Sequence, residues 1–391
     1  MTAETLADAL NRDCHCINVD PELLQQTLDA RFGEAGTYAR LRETHPNLLA
    51  DFPVFISREH IARMQDVVQA IEHVVSLRSY QEHIEAWAPA IATGSRGSRG
   101  VFFGYDFHLT RDGPRLIEVN TNAGGALLLF HLAAAQKACC AAVGNFLVGS
   151  GGDGDIEQTF VDMFREEFAT ERPRDTLRSI AIVDENPEGQ YLHPEFRLFQ
   201  HLFAANGIEA TIADPGDFAL SGGTLRVRGR AIDLVYSRLT DFYLQSARCA
   251  TLRKAYEDAA AVFTPSPKDH ALYADKRNLT VFCDAKELRG LGVSTNAIEI
   301  LSEAVPPTVL VDDDNADLLW ARRRQLYFKP IWGYGSRGTY KGAKLTKKTW
   351  SSILKSDYVA QELIAPSERL LVSNGESQML KVDVRCFVYR G

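Results

Sequence analysis

The sequence lacks the disulfide framework of a small secreted scaffold, because its 7 cysteines are odd in number and scattered through 391 residues. It also lacks an apolar stretch long and clean enough to span a bilayer. The most apolar region, GGALLLFHLAAAQKACCAAVGNFLVG, is interrupted by His131, Gln136 and Lys137. There is no basic surplus: a net charge of −8 argues against a general nucleic-acid binder, which needs a basic face. The local exceptions are ARRRQLYFKP (321–330) and KGAKLTKK (341–348). The opening MTAETLADALNRDCHC has neither the basic start nor the apolar core of a signal peptide, so a cytoplasmic location is expected. Cys14, His15 and Cys16 are too close together to reach one ion, and no second Cys/His cluster follows at zinc-site spacing. Cys139 and Cys140 sit in an apolar helical run and read as core.

What remains is a soluble globular chain long enough for two or three domains. Its first hundred residues read as mainly helical, and residues 1–147 combine this helical region with a hairpin. PELLQQTLDARF is amphipathic, and Ile61, Met64, Val67, Val68, Ile71, Val74 and Val75 recur at helical spacing behind Ser57, a suitable N-cap. VGSGGDGD (148–155) reads as a linker, and its acids lack calcium-loop spacing and serve better as a cap for the helix that follows, within 148–175. From 176 to 250 the pattern alternates strand (SIAIVDEN), helix (PEFRLFQHLFAANG) and strand (IEATIADP), which suggests a small α/β unit with a parallel sheet. A third region, 251–391, holds a helix in RKAYEDAAAVF, a lysine-bearing segment, a glycine-rich loop, and strands in DYVAQELI and MLKVDVRCFVYR.

Two features carry chemistry. The first is VFFGYDFHLTRDGPRLIEVNTNAGG (101–125), where Asp-Gly marks a turn between two β-prone runs. A hairpin symmetric about Asp112 sets Asp106 opposite Glu118 and adds Asn120 to the same face, with Phe103, Tyr105, Phe107, Ile117 and Val119 on the other. Opposed carboxylates repel unless a cation intervenes, and two of them with an amide oxygen suit magnesium. An exposed polar face on an edge hairpin is the alternative.

The second feature is GYGSRG (333–338). It is not a dinucleotide fingerprint, because no helix follows, and it is not a Walker A loop, because no Gly-Lys-Ser/Thr follows. The catalytic-loop and metal-binding motifs of protein kinases are absent too. A glycine-rich loop between two strands can still close its N–H groups over phosphates, with Lys329 just upstream; an ordinary surface loop is the competing account.

Together these pieces resemble the ATP-grasp superfamily, over the hairpin and roughly residues 265–391. The resemblance implies an α/β (α+β) ATP-grasp fold with a helical N-terminal region, a small parallel α/β substrate domain, and ATP and Mg2+ as cofactors. It implies that Lys276, on a strand, and Lys329 fix phosphates, that Gly335, Ser336, Arg337 and Gly338 cover them, and that Gln361, Glu362, Leu363 and Ile364 form the adenine hinge. Asp383 and Arg385 match the Asp-x-Arg strand, with Arg385 offsetting developing charge; Glu118 and Asn120 match the Glu-x-Asn metal motif. That motif precedes the lysines here, which resembles the circularly permuted branch containing glutathionylspermidine synthetase and eukaryotic glutathione synthetase. In the former an aspartate twelve residues before the glutamate also binds magnesium, which implicates Asp106.

Two departures stand out. Relatives carry an arginine where this chain has Gly104, which leaves Arg96, Arg99, Arg238 or Arg337 to substitute; and the chain stops at Gly391, directly after the Asp-x-Arg strand, which suggests truncation or a short C-terminus. The implied chemistry is ATP-dependent joining of a small-molecule carboxylate to an amine. Arg238 is the candidate for presenting the carboxylate, with a surface arginine as its plain alternative. A non-catalytic nucleotide-binding protein and a phosphotransferase are the competing readings.

Overall fold

The computed structural model describes residues 6–14, 19–50, 52–94, 99–136, 156–333, 338–373 and 376–389. His15, Cys16, Arg96, Cys139, Cys140, the 148–155 linker, Gly335, Ser336 and Arg337 lie outside the described residues. Among the described residues no helix is long and apolar enough to cross a membrane.

The described chain opens with helices Leu6–Asp13, Pro21–Phe32, Thr37–Thr44, Arg58–Ser76 and Arg78–Glu85. Ser57 caps the fourth by accepting from the His60 N–H, and Asp20 caps the second. Met64, Val67, Val68, Ile71, Val74 and Val75 are all buried, each worth about 2 kcal/mol of transfer free energy. Ile61, expected on that stripe, is 42% exposed: it lies in the first turn, before the helix meets the hairpin.

Strands β1 (Phe103–Thr110) and β2 (Gly113–Asn120) form the expected hairpin, with Asp106 opposite Glu118 and Gly104 opposite Asn120. The register is not uniform. Phe107 pairs with Leu116, so Ile117 is a bulged extra residue. The bulge exchanges the faces of its neighbours: Leu116, not Ile117, is fully buried beside Phe107, while Ile117 faces a cleft.

Strands β3 (Ser179–Val183) and β4 (Glu209–Ala213) flank helix His193–Ala205. A small antiparallel sheet follows, β5 (Phe218–Ser221), β6 (Thr224–Val227) and β7 (Arg230–Ala231), and then β8 (Leu234–Ser237). β9 (Val262–Thr264) completes a parallel sheet in the order β4-β3-β8-β9. Alternate residues enter two cores: Ala181 and Val183 join one with the N-terminal helix, Ile180 and Ile182 the other with Phe164, Phe199 and Phe203. RKAYEDAAAVF is therefore not one helix. Its helix stops at Glu257, Ala259 takes φ 55°, and Val262 and Phe263 begin β9.

Asp184, at the carboxyl end of β3, is 8% exposed, and burial pushes its carboxyl up to about 6. The native state thus holds a proton more tightly than the unfolded chain, so stability from this group is full below its ordinary value and lost as pH rises through about 6. Asp184→Asn is expected to raise stability on the order of 2 kcal/mol at pH 8 and to leave it unchanged at acid pH, as measured by urea melts at both.

The last third forms a second sheet: β10 (Thr308–Leu310), β11 (Leu326–Pro330), β12 (Tyr340–Lys341) and β13 (Tyr358–Glu362), ordered β10-β13-β11-β12. Leu319, Phe328, Trp350 and Ile353 form its core. MLKVDVRCFVYR divides at Asp383. β14 (Ser367–Ser373) pairs with β15 (Glu376–Val382), while β16 (Val384–Val388) crosses to β1 and sets Arg385 beside Asp106. Arg369, 2% exposed, ties this hairpin to the N-terminus by donating to the carbonyls of Leu10, Asn11, Cys14 and Pro53.

Candidate active site

The β1–β2 hairpin and the second sheet face each other across a cleft of about 460 Å³. From the hairpin come Asp106, His108, Ile117 and Glu118; from the second sheet come Lys329 and Gln361 through Ile364; Lys276, Glu368, Lys381 and Asp383 complete the walls. Residues more than two hundred positions apart in sequence thus line one space.

Asp106 is held by a two-pronged bond from Arg385, Nε to Oδ1 at 2.6 Å and Nη2 to Oδ2 at 2.7 Å. Asn120 Nδ2 donates to Asp106 Oδ2 at 3.0 Å and to Glu118 Oε1 at 3.3 Å. On the far side Lys276 Nζ stands 3.8 Å from Glu118 Oε2 and donates to the Gly333 carbonyl at 2.6 Å. Lys329 Nζ donates to Gln361 Oε1 at 2.9 Å and to the Ile117 carbonyl at 3.0 Å, the residue that the bulge displaces from the ladder.

This crowding splits the two carboxylates. Burial raises the Asp106 pKa above its ordinary value even against the Arg385 fork. Burial acts the same way on Glu118, but Lys276 and then Lys329 outweigh it and hold Glu118 below the usual range. Lys329 itself is 5% exposed, and desolvation lowers its ammonium to about 8, opposed by Glu118.

Two opposed carboxylates and an amide, open on one side to a cleft, suit a hard cation that shares its remaining positions with phosphate oxygens. Among the described residues no set of three His, Cys, Asp or Glu side chains stands at metal-binding separation, so the site is not a closed protein cage. In the arrangement seen here Arg385 supplies the countercharge to Asp106 and Lys276 that to Glu118, while the Asn120 amide N–H bridges the two carboxylates. A cation at this face requires the Asn120 amide to turn its oxygen inward.

Lys276 lies in the turn between the π-helical segment His270–Ala274 and helix Asn278–Phe282, not on a strand as expected. The hinge is bonded into its surroundings: Glu362 N–H donates to the Pro307 carbonyl, Leu363 N–H to that of Gln325, and the Gln361 side chain also bonds Thr308. Gly338, at φ 69°, accepts from the Tyr358 hydroxyl and stands just before Thr339 in the cleft wall. Arg238 is not brought into the cleft. It is 7% exposed, and its Nη1 donates to the Ala123 carbonyl at 2.8 Å.

Sequence reasoning missed His108. Its Nδ1 lies 2.8 Å from the Ile364 carbonyl, which can only accept, so Nδ1 carries a proton; its Nε2 lies 2.9 Å from Asp383 Oδ1. The bond to His108 is the first cause holding the Asp383 carboxyl below its ordinary value. The two-residue period from Asp106 was the available signal. Gly104 also acquires a reason. A Cβ there would stand 2.7 Å from Ala123 Cβ and 3.0 Å from Arg385 Cδ and Nε, so the guanidinium beside this position is Arg385, outside the four arginines considered. Gly104→Ala is expected to cost about 2 kcal/mol in urea unfolding by overpacking, and to displace Arg385.

No protein-family model matches the chain, and no curated protein matches it in sequence. Solved structures do. A glutathione synthetase-like effector from Globodera pallida is 17% identical, with a TM-score of 0.55 over 94% of this chain and 88% of that one. A putative gamma-glutamylcysteine synthetase from Methylobacillus flagellatus KT is 11% identical, with a TM-score of 0.40 over 78% and 76%. D-alanyl-alanine synthetase A from Vibrio cholerae is 12% identical, with a TM-score of 0.30 over 55% and 69%. The chain therefore has an ATP-grasp-like fold, shared along most of its length with the Globodera pallida protein.

Proposed function

We propose that the chain is an ATP-dependent ligase that joins a small-molecule carboxylate to an amine. The observation that carries this reading is the convergence on one cleft of Asp106, Glu118, Lys276, Lys329 and the 361–364 hinge, with Arg385 bonded to Asp106 behind them. Asp106, Glu118 and Asn120 are the residues that would hold magnesium, and the chemistry magnesium supplies when bound is neutralisation of phosphate charge.

Lys276 and Lys329 are buried in the cleft wall, and in this reading they present two cations to the phosphate oxygens of ATP. An oxygen of the substrate carboxylate attacks the γ-phosphorus, the bond from phosphorus to the ADP oxygen breaks, and an acyl phosphate forms. Arg385 turns from Asp106 toward the charge that develops. The amine nitrogen then attacks the acyl carbon, inorganic phosphate leaves, and the nitrogen loses a proton to give the amide. Exclusion of water matters because an acyl phosphate hydrolyses readily. We assign Gly335, Ser336 and Arg337 to covering the phosphates.

The test is ADP release from Mg-ATP with pooled amino acids, with pooled polyamines, with both and with neither. A ligase releases ADP in step with amide formation and needs both an acid and an amine. ATP binding without turnover under every condition would instead identify a non-catalytic nucleotide-binding protein. A stable phosphorylated product from one substrate would identify a phosphotransferase.

A further inference from the structure

The sign of the charge changes abruptly within one exposed segment. From Asp312 to Asp317 there are four acidic residues and no basic one; from Leu318 to Ser356 there are ten basic residues and no acidic one, in a chain of net charge −8. Helix Ala316–Arg322 spans this boundary, with Asp317 in its first turn and Arg322 in its last, and Arg323–Gln325 continues it as one tight turn. Leu319 packs the helix on the core of the second sheet, against the face of β11 that carries Phe328. Lys329, the next residue of that strand, faces the cleft on the other side, so the outer surface of the helix looks away from the cleft.

That outer surface has no partner within the fold that accounts for it. Asp313, Asp314, Asp317, Leu318, Arg322 and Arg324 are all exposed. Leu318, at 60%, is the most exposed large apolar side chain among the described residues. Among the described residues none of these charges is in an ion pair, whereas in helix Ala250–Glu257 Arg253 pairs with Glu257 four residues on. Lys347 broadens the basic end: its Nζ lies 4.1 Å from the centre of the Trp320 ring, and the Arg323 guanidinium lies 4.0 Å from the same centre. Like charges gathered in this way repel one another. One acid in the first turn and one base in the last complement the helix dipole, which acts within a turn. The further acids, the further bases and the bare leucine between them are left over.

We infer that this face is a contact between two copies of the chain, with helix Ala316–Arg322 of each running antiparallel about a two-fold axis near Leu318. A two-fold contact brings one patch against itself turned end for end, so it has to be self-complementary. Turned in that way, the acidic end of each copy meets the basic end of the other, and Leu318 meets Leu318. An apolar centre then lies inside a charged rim, the common anatomy of protein contacts. A nucleic acid or another polyanion would use the basic end alone and be repelled by the acidic end, so the presence of both signs selects a second copy. The helix is about 10 Å long. A contact of this size lies near the low end of specific interfaces, about 1,200 Å², and corresponds to a micromolar dimer. Both clefts stay open in it, and the inference is independent of the ligase reading.

The experiment is sedimentation equilibrium of the full chain from about 1 to about 100 μM. The parent is expected to pass from monomer to dimer across that range, and to dissociate about tenfold more readily in about 1 M salt, where exposed charges are screened. Arg322→Glu with Arg324→Glu makes both ends acidic; Asp313→Lys with Asp314→Lys makes both basic. Each variant alone brings like charges together at both ends and is expected to weaken the dimer by about a hundredfold or more. Mixed in equal amounts, the two are expected to form a one-to-one dimer, which misfolded chains would not do. Leu318→Ser is expected to weaken the parental dimer about tenfold. All five positions are exposed, so every variant should melt within a few degrees of the parent. A dimer that persists at parental affinity in both reversed variants, or reversed variants that do not associate on mixing, would overturn the inference. So would a parent that stays monomeric throughout, and binding of a polyglutamate peptide to that monomer would give the basic end to an acidic partner instead.

Discussion

Glu118→Gln is expected to lower ADP release by about a thousandfold while leaving the melting temperature within a few degrees of the parent. Glutamine keeps the shape of the side chain and one oxygen but removes the charge. In the native site that charge balances Lys276 at 3.8 Å and holds up the ionised state of Lys329. Its loss also relieves repulsion with Asp106 directly opposite, so the stability terms offset one another. The catalytic terms do not offset. The carboxylate proposed to bind the cation disappears, and Lys329 loses a partner that favours its ammonium form. Calorimetric titration of ATP with and without Mg2+ separates these effects: the parent is expected to show magnesium-dependent affinity and the variant to lose most of it. If magnesium-dependent affinity persists at the parental level in Glu118→Gln, the hairpin is not the metal-binding face.

Lys329→Met carries the second largest effect, an expected loss of ~3 kcal/mol, or about a hundredfold, in affinity for Mg-ATP. Methionine fills the same buried volume on β11 and removes the cation. The parent should also show a pH signature. With the ammonium lowered to about 8, the free enzyme is protonated at Lys329 below that pH and neutral above it. kcat/KM for ATP is then expected to fall as pH rises through about 8, because that ratio reports ionisations of the free enzyme. The sign for stability is opposite: the native state binds fewer protons than the unfolded chain between about 8 and the usual lysine value, so stability rises with pH across that window. Lys329→Arg should move the basic limb to higher pH. A parent profile flat to pH 10 would remove Lys329 from phosphate binding.

Much of the hairpin could be read without coordinates. Asp-Gly marks a turn, and the alternation of polar and apolar residues puts Asp106, Glu118 and Asn120 on one face. The bulge could not be read, since either register near the turn keeps apolar residues alternating, and only packing into the core shared with helix Arg58–Ser76 and its neighbours chose Leu116 over Ile117. The β14–β15 hairpin was missed, although Asn374-Gly375 is a strong hairpin signal between its two strands. The break at Asp383 was hidden because MLKVDVRCFVYR is β-prone throughout, and its two halves find partners far apart in the chain. Arg238 reads as a candidate for presenting a carboxylate, with an exposed arginine after a strand as the alternative, and only tertiary packing shows it buried and bonded to the Ala123 carbonyl.

The sequence by itself determined the local units: capped helices, the Asp-Gly hairpin with its polar face, the strand–helix–strand alternation, and the lysine, glycine and Asp-x-Arg elements in their order. These follow from short-range rules of capping, turn chemistry and side-chain period, which act within about ten residues. Tertiary structure alone decided which charges meet. Arg385 bridges to Asp106 because β16 pairs with β1, and Lys329 reaches Gln361 on the neighbouring strand β13 and, across the cleft, the carbonyl of the bulged Ile117. Opposite charges hundreds of residues apart in one chain acquire a shared dielectric environment only once packing excludes water between them. The pKa of Lys329 and the division of labour between Asp106 and Glu118 therefore belong to the fold.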